Sequence, residues 1–257
     1  MHTRDTRVPL PADDVLRILD ETLADIPQER RRRSPALFAR WLRARYSLCL
    51  GFVFCGRQDT CTALASADHG FTAEHIWLRI TEKMRRREAI RRIIRLPIHD
   101  RACHGVASAL PRLAELGRAY VAARECLHAG RPPPEWFFQL PGEPRPLTRH
   151  MSSWVRMELD SLGISAPPGF AYQGHSLRSG GSSAAEAIGV SRFRGNWLGG
   201  WSQSGSTRER HYIDPSITPS PGAYALLGWL LDGDYSSGPT ERVRVPATRA
   251  RADPGEP

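Results

Sequence analysis

The chain contains almost no lysine. Lys83 is the only one, so that 35 of the 36 residues counted as lysine or arginine are arginines. An excess of this size indicates a coding bias toward arginine rather than an adaptation to one ligand. The position of the single exception is therefore informative.

Long apolar runs are also missing. The longest candidate, around Leu42 to Cys55, is interrupted by Arg45, whereas a membrane-spanning helix needs about 20 predominantly apolar residues. The N-terminal sequence MHTRDTRVPLP has no hydrophobic core of a signal peptide. These absences predict a soluble intracellular protein, located in the nucleus if eukaryotic and in the cytoplasm if bacterial.

Paired metal-ligand spacings are absent as well. The five cysteines form no C-x-x-C pair, and Cys103-His104 beside His99 is more simply explained as a group of isolated side chains than as a metal site. Reduced thiols fit a cytosolic or nuclear compartment. The sequence therefore predicts neither a metal nor another cofactor.

Positive charge is what the chain has in abundance. Its 257 residues carry a formal net charge of +9, with an isoelectric point near 9.9. Such a charge favours polyanionic partners, namely nucleic acid or an anionic membrane surface. The length allows one large domain or two small ones, each with a substantial core.

Apolar periodicity predicts a mainly α fold with one small antiparallel β-sheet. A first helix is predicted over 13–26, ending before Pro27, followed by a basic connector over 28–33. A second, central helix begins at Ser34 as N-cap and ends at Gly56, and further helices are predicted near 57–60, 113–127, 151–162 and 221–231. Segments 76–80 and 90–98 are rich in β-branched residues and predict strands.

The most informative motif is His175-Ser176-Leu177-Arg178. A histidine and an arginine three residues apart at the start of a helix lie on one face, which places an acid or base beside a fixed cation. Trp201 follows 23 residues after Arg178, and Tyr212 comes shortly after it. An indole N–H and a phenol complete a set of groups suited to handling a phosphate.

The segment from His175 to Asp214, with Gly199-Gly200-Trp201-Ser202 in its middle, resembles the C-terminal half of the tyrosine recombinase (phage integrase) catalytic domain. It is similar to integrases and to recombinases of Crypton- or DIRS-type mobile elements. The resemblance implies that residues 12–232 form that catalytic domain, after a short lead-in (1–11) and before a disordered tail (233–257). It also implies that the family's N-terminal core-binding domain is absent from this chain.

The resemblance implies a role for each site residue. Tyr212 is the nucleophile that forms a 3′-phosphotyrosyl intermediate, whose stored bond energy makes a cofactor unnecessary for resealing. Arg178 and an upstream arginine, matched by Arg57 in the sequence CGRQDT, clamp the phosphate. His175 acts as acid or base.

Two further residues complete the predicted catalytic set. Lys83 follows a predicted strand, where the family places the general acid for the leaving oxygen, and an amine is better suited to this task than a guanidinium that stays protonated. Trp201 takes the position of the family's His or Trp and donates an N–H without shuttling protons. The spacing from Trp201 to Tyr212 is longer than usual in the family, which indicates an insertion near Ser204.

Contacts to the DNA backbone are predicted in the sequence RRREAIRRIIR, although a solvated charged strand would explain it nearly as well. The predicted contact residues are Arg85, Arg86, Arg87, Arg91 and Arg92. The predicted partners are double-stranded DNA, further copies of the chain on DNA, and a partner chain that supplies a core-binding domain. In the self-association, the 221–231 helix is predicted to dock on a neighbour. Two alternatives stay open, an inactive DNA-binding remnant and a type IB topoisomerase-like activity.

Overall fold

The computed structural model of the chain describes residues 8–83, 88–128, 130, 132, 134–146, 148–231 and 241–244. Its helices are α1 (Ala12–Arg32), α2 (Pro35–Val53), α3 (Gln58–Thr62), α4 (Leu110–His128), α5 (Thr148–Ser161), α6 (Gly174–Ala187), α7 (Arg192–Gly199), α8 (Thr207–His211) and α9 (Pro221–Leu227). Its strands are β1 (His69–Phe71), β2 (His75–Lys83), β3 (Glu88–Pro97) and β4 (Glu241–Arg244). The predicted class, mainly α with a small antiparallel sheet, is confirmed.

Helix α2 is the centre of the core. Ser34 caps it by accepting a hydrogen bond from the Leu37 N–H at 3.5 Å, and Pro35 occupies the first helical position. Side chains on all of its faces are buried, and α1, α4, α5 and α6 pack around it. The prediction of a central second helix is confirmed, with its end at Val53 rather than Gly56.

The predicted end of α1 at Pro27 is wrong, because the helix continues to Arg32. A proline inside a helix removes one hydrogen bond and costs roughly 3 kcal/mol. Burial of Val15, Ile18 and Leu19 in the same helix offsets that cost. Buried Glu29 stabilises the last turn through ion pairs with Arg32, at 2.9 Å, and Arg33.

The four strands form one antiparallel sheet in the order β1-β2-β3-β4. Alternate residues of β2 (Ile76, Leu78 and Ile80) are buried, and Leu78 lies opposite Ile94 of β3. The two strands predicted from β-branched residues are confirmed. Strand β4 corrects the predicted tail, since 241–244 pair with the open edge of β3; the other residues of 233–257 lie outside the described part of the chain.

Helix α9 packs onto α1 and α6 of its own chain. Its first turn is tied to α1, where the Gly222 N–H donates to Asp13 Oδ1 at 2.7 Å. Leu226 and Leu227 are fully buried. The apolar face of α9 thus completes the core of its own chain, and the predicted docking of the 221–231 helix on a neighbouring protomer stays a prediction. No helix within the described ranges is long and apolar enough to cross a membrane.

Candidate active site

The site is built on the start of α6. Ser176 and Gln173 form a reciprocal capping box, in which Ser176 Oγ accepts from the Gln173 N–H at 3.0 Å. The cap fixes the first turn, so that His175 and Arg178 project from one side of it.

Two glycines bring α6 close to its neighbours. A Cβ on Gly180 would lie 2.2 Å from the Leu10 carbonyl oxygen, and one on Gly181 would lie 2.3 Å from the Phe52 carbonyl oxygen. Both distances are far inside van der Waals contact. The Gly-Gly pair after Arg178 is therefore required for packing, and it holds the site against the end of α2.

Arg178 is the connecting residue of the site. Only 2% of it is exposed. Its Nη1 donates to the Cys55 carbonyl at 2.6 Å and its Nη2 donates to the Gly199 carbonyl at 2.8 Å. The guanidinium carbon lies 3.7 Å from the centre of the Trp201 ring. Arg178 thus joins the segment after α2, the end of α7 and Trp201 around one buried positive charge.

Tyr212 caps the C-terminal end of α8 and lies beside these groups. Its ring centre is 4.9 Å from the Arg178 guanidinium carbon, 5.2 Å from the Trp201 ring and 6.2 Å from the His175 ring. Tyr212 is half-buried and lines a cavity of about 420 Å³. That cavity is lined by Pro9, His175, Ser179, His211, Tyr212, Ile213, Asp214 and Pro215.

Trp201 is positioned by a tight turn at the end of α7. Gly200 takes the left-handed conformation, with φ at 71°, and the backbone N–H of Trp201 donates to the Asn196 carbonyl at 2.8 Å. A Cβ on Gly199 would fall 1.7 Å from the Trp201 ring. The sequence Gly199-Gly200-Trp201 therefore follows from the geometry that places the indole over Arg178.

Arg57 follows the segment that Arg178 holds through the Cys55 carbonyl, but its side chain is exposed to solvent. The segment before it is held by Arg178, whose guanidinium binds the Cys55 carbonyl, and Cys55 itself has a φ of 50°. The Arg57 carbonyl accepts the Cys61 N–H at 3.0 Å at the start of α3. The Arg57 side chain is exposed, whereas Arg178 is buried in the cluster that it forms with His175, Trp201 and Tyr212.

The predicted general acid lies at a strand end. Lys83 is the last residue of β2 and its backbone faces Ala89 of β3. The placement of its side chain lies outside the described part of the structure, as do Arg85, Arg86 and Arg87. Their roles therefore stay predictions.

Arg92 has a different environment from the one predicted. It is buried, it donates to the Trp197 and Leu198 carbonyls, and its guanidinium carbon lies 5.5 Å from the Trp197 ring. A positive charge at these carbonyls stabilises the C-terminal end of α7. These contacts hold the Arg92 guanidinium at the end of α7, and its predicted contact with DNA stays a prediction. Arg91, opposite Thr81 of β2, is half-buried.

Sequence reasoning missed two residues that hold the Tyr212 segment. Arg208 of α8 is buried, and Ser183 of α6 contacts the backbone on both sides of Ile213. Arg208 stands in the charged sequence TRERH, which is typical of a solvated helix, and Ser183 is one of several serines in SGGSSAA. No local pattern distinguishes either of them.

Comparisons with known proteins give matches in structure only. No family model matches the chain, and no curated protein matches its sequence. The XerH site-specific recombinase in its pre-cleavage complex with the difH substrate matches with a TM-score of 0.55 and 13% identity, over 81% of this chain and 50% of that chain. The post-cleavage complex of XerH with palindromic difH matches with a TM-score of 0.54 and 14% identity, over 82% of this chain and 51% of that chain.

The lambda integrase tetramer bound to a Holliday junction matches with a TM-score of 0.50 and 16% identity, over 82% of this chain and 49% of that chain. The chain has the fold of a tyrosine recombinase catalytic domain. Identities this low establish the fold alone. The chain spans about half the length of the solved chains that it matches.

Proposed function

We propose that the chain cleaves and rejoins DNA strands through a 3′-phosphotyrosyl intermediate on Tyr212, in site-specific recombination or integration. One observation carries the proposal. The ring of Tyr212 lies 4.9 Å from the guanidinium carbon of Arg178 and 6.2 Å from the ring of His175, and both Tyr212 and His175 line one cavity. In this proposal Tyr212 is the nucleophile, Arg178 the fixed cation and His175 the proton acceptor for one phosphate group.

The reaction then proceeds by transesterification. The Tyr212 phenol oxygen attacks the phosphorus, the bond to the 5′ oxygen breaks, and the phenolic proton passes to His175. Lys83 protonates the departing 5′ oxygen. Attack by a 5′ hydroxyl on the phosphotyrosine reverses these steps and restores both the DNA strand and the free phenol.

Arg178, Arg57 and Trp201 stabilise the charge that grows on the non-bridging oxygens. A guanidinium supplies paired N–H donors with the geometry of a phosphate, which a lysine does not. Donors fixed in advance in a partly dry site stabilise a transition state more than mobile ones do. Arg178 is held in place by its hydrogen bonds to the Cys55 and Gly199 carbonyls, and the exposed Arg57 would close over the phosphate from the solvent side.

The partners belong to the same proposal. XerH is bound to its difH substrate, and lambda integrase forms a tetramer on a Holliday junction. We infer double-stranded DNA and self-association for this chain too, with phosphate contacts from Arg85, Arg86, Arg87 and Arg91. A partner chain with a core-binding domain is part of the same proposal, since the chain matches about half of each solved chain. The likeness to Crypton- and DIRS-type recombinases, which rests on the sequence motifs, is part of this proposal.

A covalent-capture assay tests the function. The chain is incubated with a library of nicked suicide duplexes whose central segment is randomised, and protein–DNA adducts that resist detergent are recovered and sequenced. We expect adducts from the wild type, none from Tyr212→Phe, and unchanged yield from Tyr224→Phe, which removes a hydroxyl from α9 outside the cavity.

Other outcomes separate the alternatives. Binding that weakens steeply with salt, without any adduct, identifies an inactive DNA-binding remnant. Relaxation of supercoiled plasmid without exchange between duplexes identifies a topoisomerase-like activity.

A further inference from the structure

The residue that carries the phenol lies at the end of a very short helix. Helix α8 has five residues, and Tyr212 caps it. A helix of this length is not stable by itself, because too few hydrogen bonds form to offset the cost of nucleation. Contacts with other elements must therefore determine where Tyr212 lies.

One of these contacts is made by Arg208, on the N-terminal side of Tyr212. Its side chain is 1% exposed, Nη2 donates to the Ser182 carbonyl at 3.2 Å, and Nη1 pairs with Glu186 at 3.0 Å. Gly195 of α7 leaves the space for it, since a Cβ there would come within 2.7 Å of the guanidinium carbon. Helix α8 is thus anchored on α6.

The second contact is made by Ser183, which is also 1% exposed. Its hydroxyl donates to the Tyr212 carbonyl at 3.1 Å and accepts from the Asp214 N–H at 2.9 Å. A serine hydroxyl is both donor and acceptor, so that one oxygen binds the backbone on both sides of Ile213. Because the Tyr212 carbonyl is part of the nucleophilic residue itself, this contact fixes the point from which its side chain projects.

We infer that Ser183 is a positioning residue for the Tyr212 nucleophile, an inference that rests on the proposed function. Ser183 lies on the same helix as His175 and Arg178, about 12 Å along the axis from His175. One rigid element therefore carries the acid or base, the phosphate-binding cation and the clamp on the nucleophile. Without the clamp, the phenol moves relative to a phosphate that stays bound.

The test variant is Ser183→Ala, which removes both hydrogen bonds and adds no atom. The matched control is Ser47→Ala, another buried serine, whose hydroxyl bonds within its own helix to the Ala44 carbonyl. Three quantities are measured: the single-turnover rate of adduct formation on a duplex recovered from the library, the affinity for that duplex, and hydrogen exchange in the segment containing Asp214.

For Ser183→Ala we expect adduct formation to slow by about 10- to 100-fold, as misplacement of a reacting group by about 1 Å does. Affinity for the duplex should change by less than about twofold, because the phosphate-binding residues are intact. Exchange at the Asp214 amide should accelerate, and Ser47→Ala should change none of the three quantities.

The inference fails if Ser183→Ala forms adducts at the wild-type rate, if the Asp214 amide keeps its protection, or if the variant does not fold, since Ser183 would then be a general structural residue. A wild-type chain without any adduct would overturn the proposed function. The exchange measurement would still show whether Ser183 holds the Tyr212 segment.

Discussion

The guanidinium of Arg178 lies 3.7 Å from the ring of Trp201, while its nitrogens bind the carbonyls of Cys55 and Gly199. An arginine stacked on an indole gains a cation–π interaction that strengthens when water is excluded. The same contact orients both groups toward Tyr212. Stability and the proposed chemistry therefore depend on the same side chains.

Arg178→Lys should lower both stability and cleavage. The ammonium keeps the charge but cannot bind two carbonyls in the same fork, and leaving buried acceptors unsatisfied costs about 1–3 kcal/mol. Denaturant unfolding would measure this loss, and adduct formation should fall below detection. Arg17→Lys, at an exposed site on α1, is the control and should behave as wild type.

Trp201→Phe and Trp201→His separate the two functions of the indole. Phenylalanine keeps an aromatic ring for Arg178 but has no N–H, so cleavage should fall about a hundredfold while the fold is retained. Histidine restores a donor and should recover part of that loss. Equal rates in the two variants would show that the N–H of Trp201 does not act on the phosphate.

Gly181→Ala should separate α6 from α2. The added Cβ would meet the Phe52 carbonyl oxygen at 2.3 Å, a clash with backbone that costs about 1–3 kcal/mol. We expect a lower unfolding midpoint together with slower adduct formation. Gly205→Ala is the comparison, because its Cβ would meet Ser202 at an ordinary 3.4 Å, and it should leave both quantities unchanged.

The buried imidazole of His69 predicts a loss of stability in acid. Burial lowers its pKa from 6.5 to about 3. Below pH 6.5, His69 therefore binds a proton in the unfolded chain, whereas in the folded chain it stays neutral until about pH 3. Stability contributed by neutral His69 is complete above pH 6.5 and falls by up to about 1.4 kcal/mol per pH unit between these values.

Denaturant unfolding between pH 7 and pH 4 would measure that slope. His69→Phe keeps the stacking on Phe137, whose ring centre lies 4.0 Å away. It should lower the number of protons taken up on unfolding by about one, and so reduce the slope of the unfolding free energy against pH. A steep slope in His69→Phe would assign the acid sensitivity to other groups.

Mixing two inactive variants tests whether one chain supplies the whole site. Tyr212 contacts His175, Arg178 and Trp201 within a single chain. Tyr212→Phe mixed with Arg178→Ala should therefore give no adduct at any ratio. Adduct formation in the mixture would show that the phenol acts in a site of another protomer.

The sequence predicted the elements with strong periodicity and the residues with distinctive chemistry. Local sequence patterns were sufficient to predict helix α2 and strands β2 and β3. They were also sufficient to predict the group of His175, Arg178, Trp201 and Tyr212. The continuation of α1 through Pro27 depends on burial of other residues in that helix, and the pairing of β4 depends on a distant strand edge. The burial of Arg92 likewise depends on α7, so no local pattern could reveal it.

The turn between Trp201 and α8 gives a practical route to observing the site. Ser202, Gln203 and Ser204 face solvent, while Trp201 and α8 are each attached to the protein body by their own bonds. Extra length in this turn is therefore absorbed without displacing either neighbour. A fluorophore attached through a cysteine introduced at Gln203, after replacement of the exposed Cys126, would report on molecules that enter the cavity from a position nine residues before Tyr212.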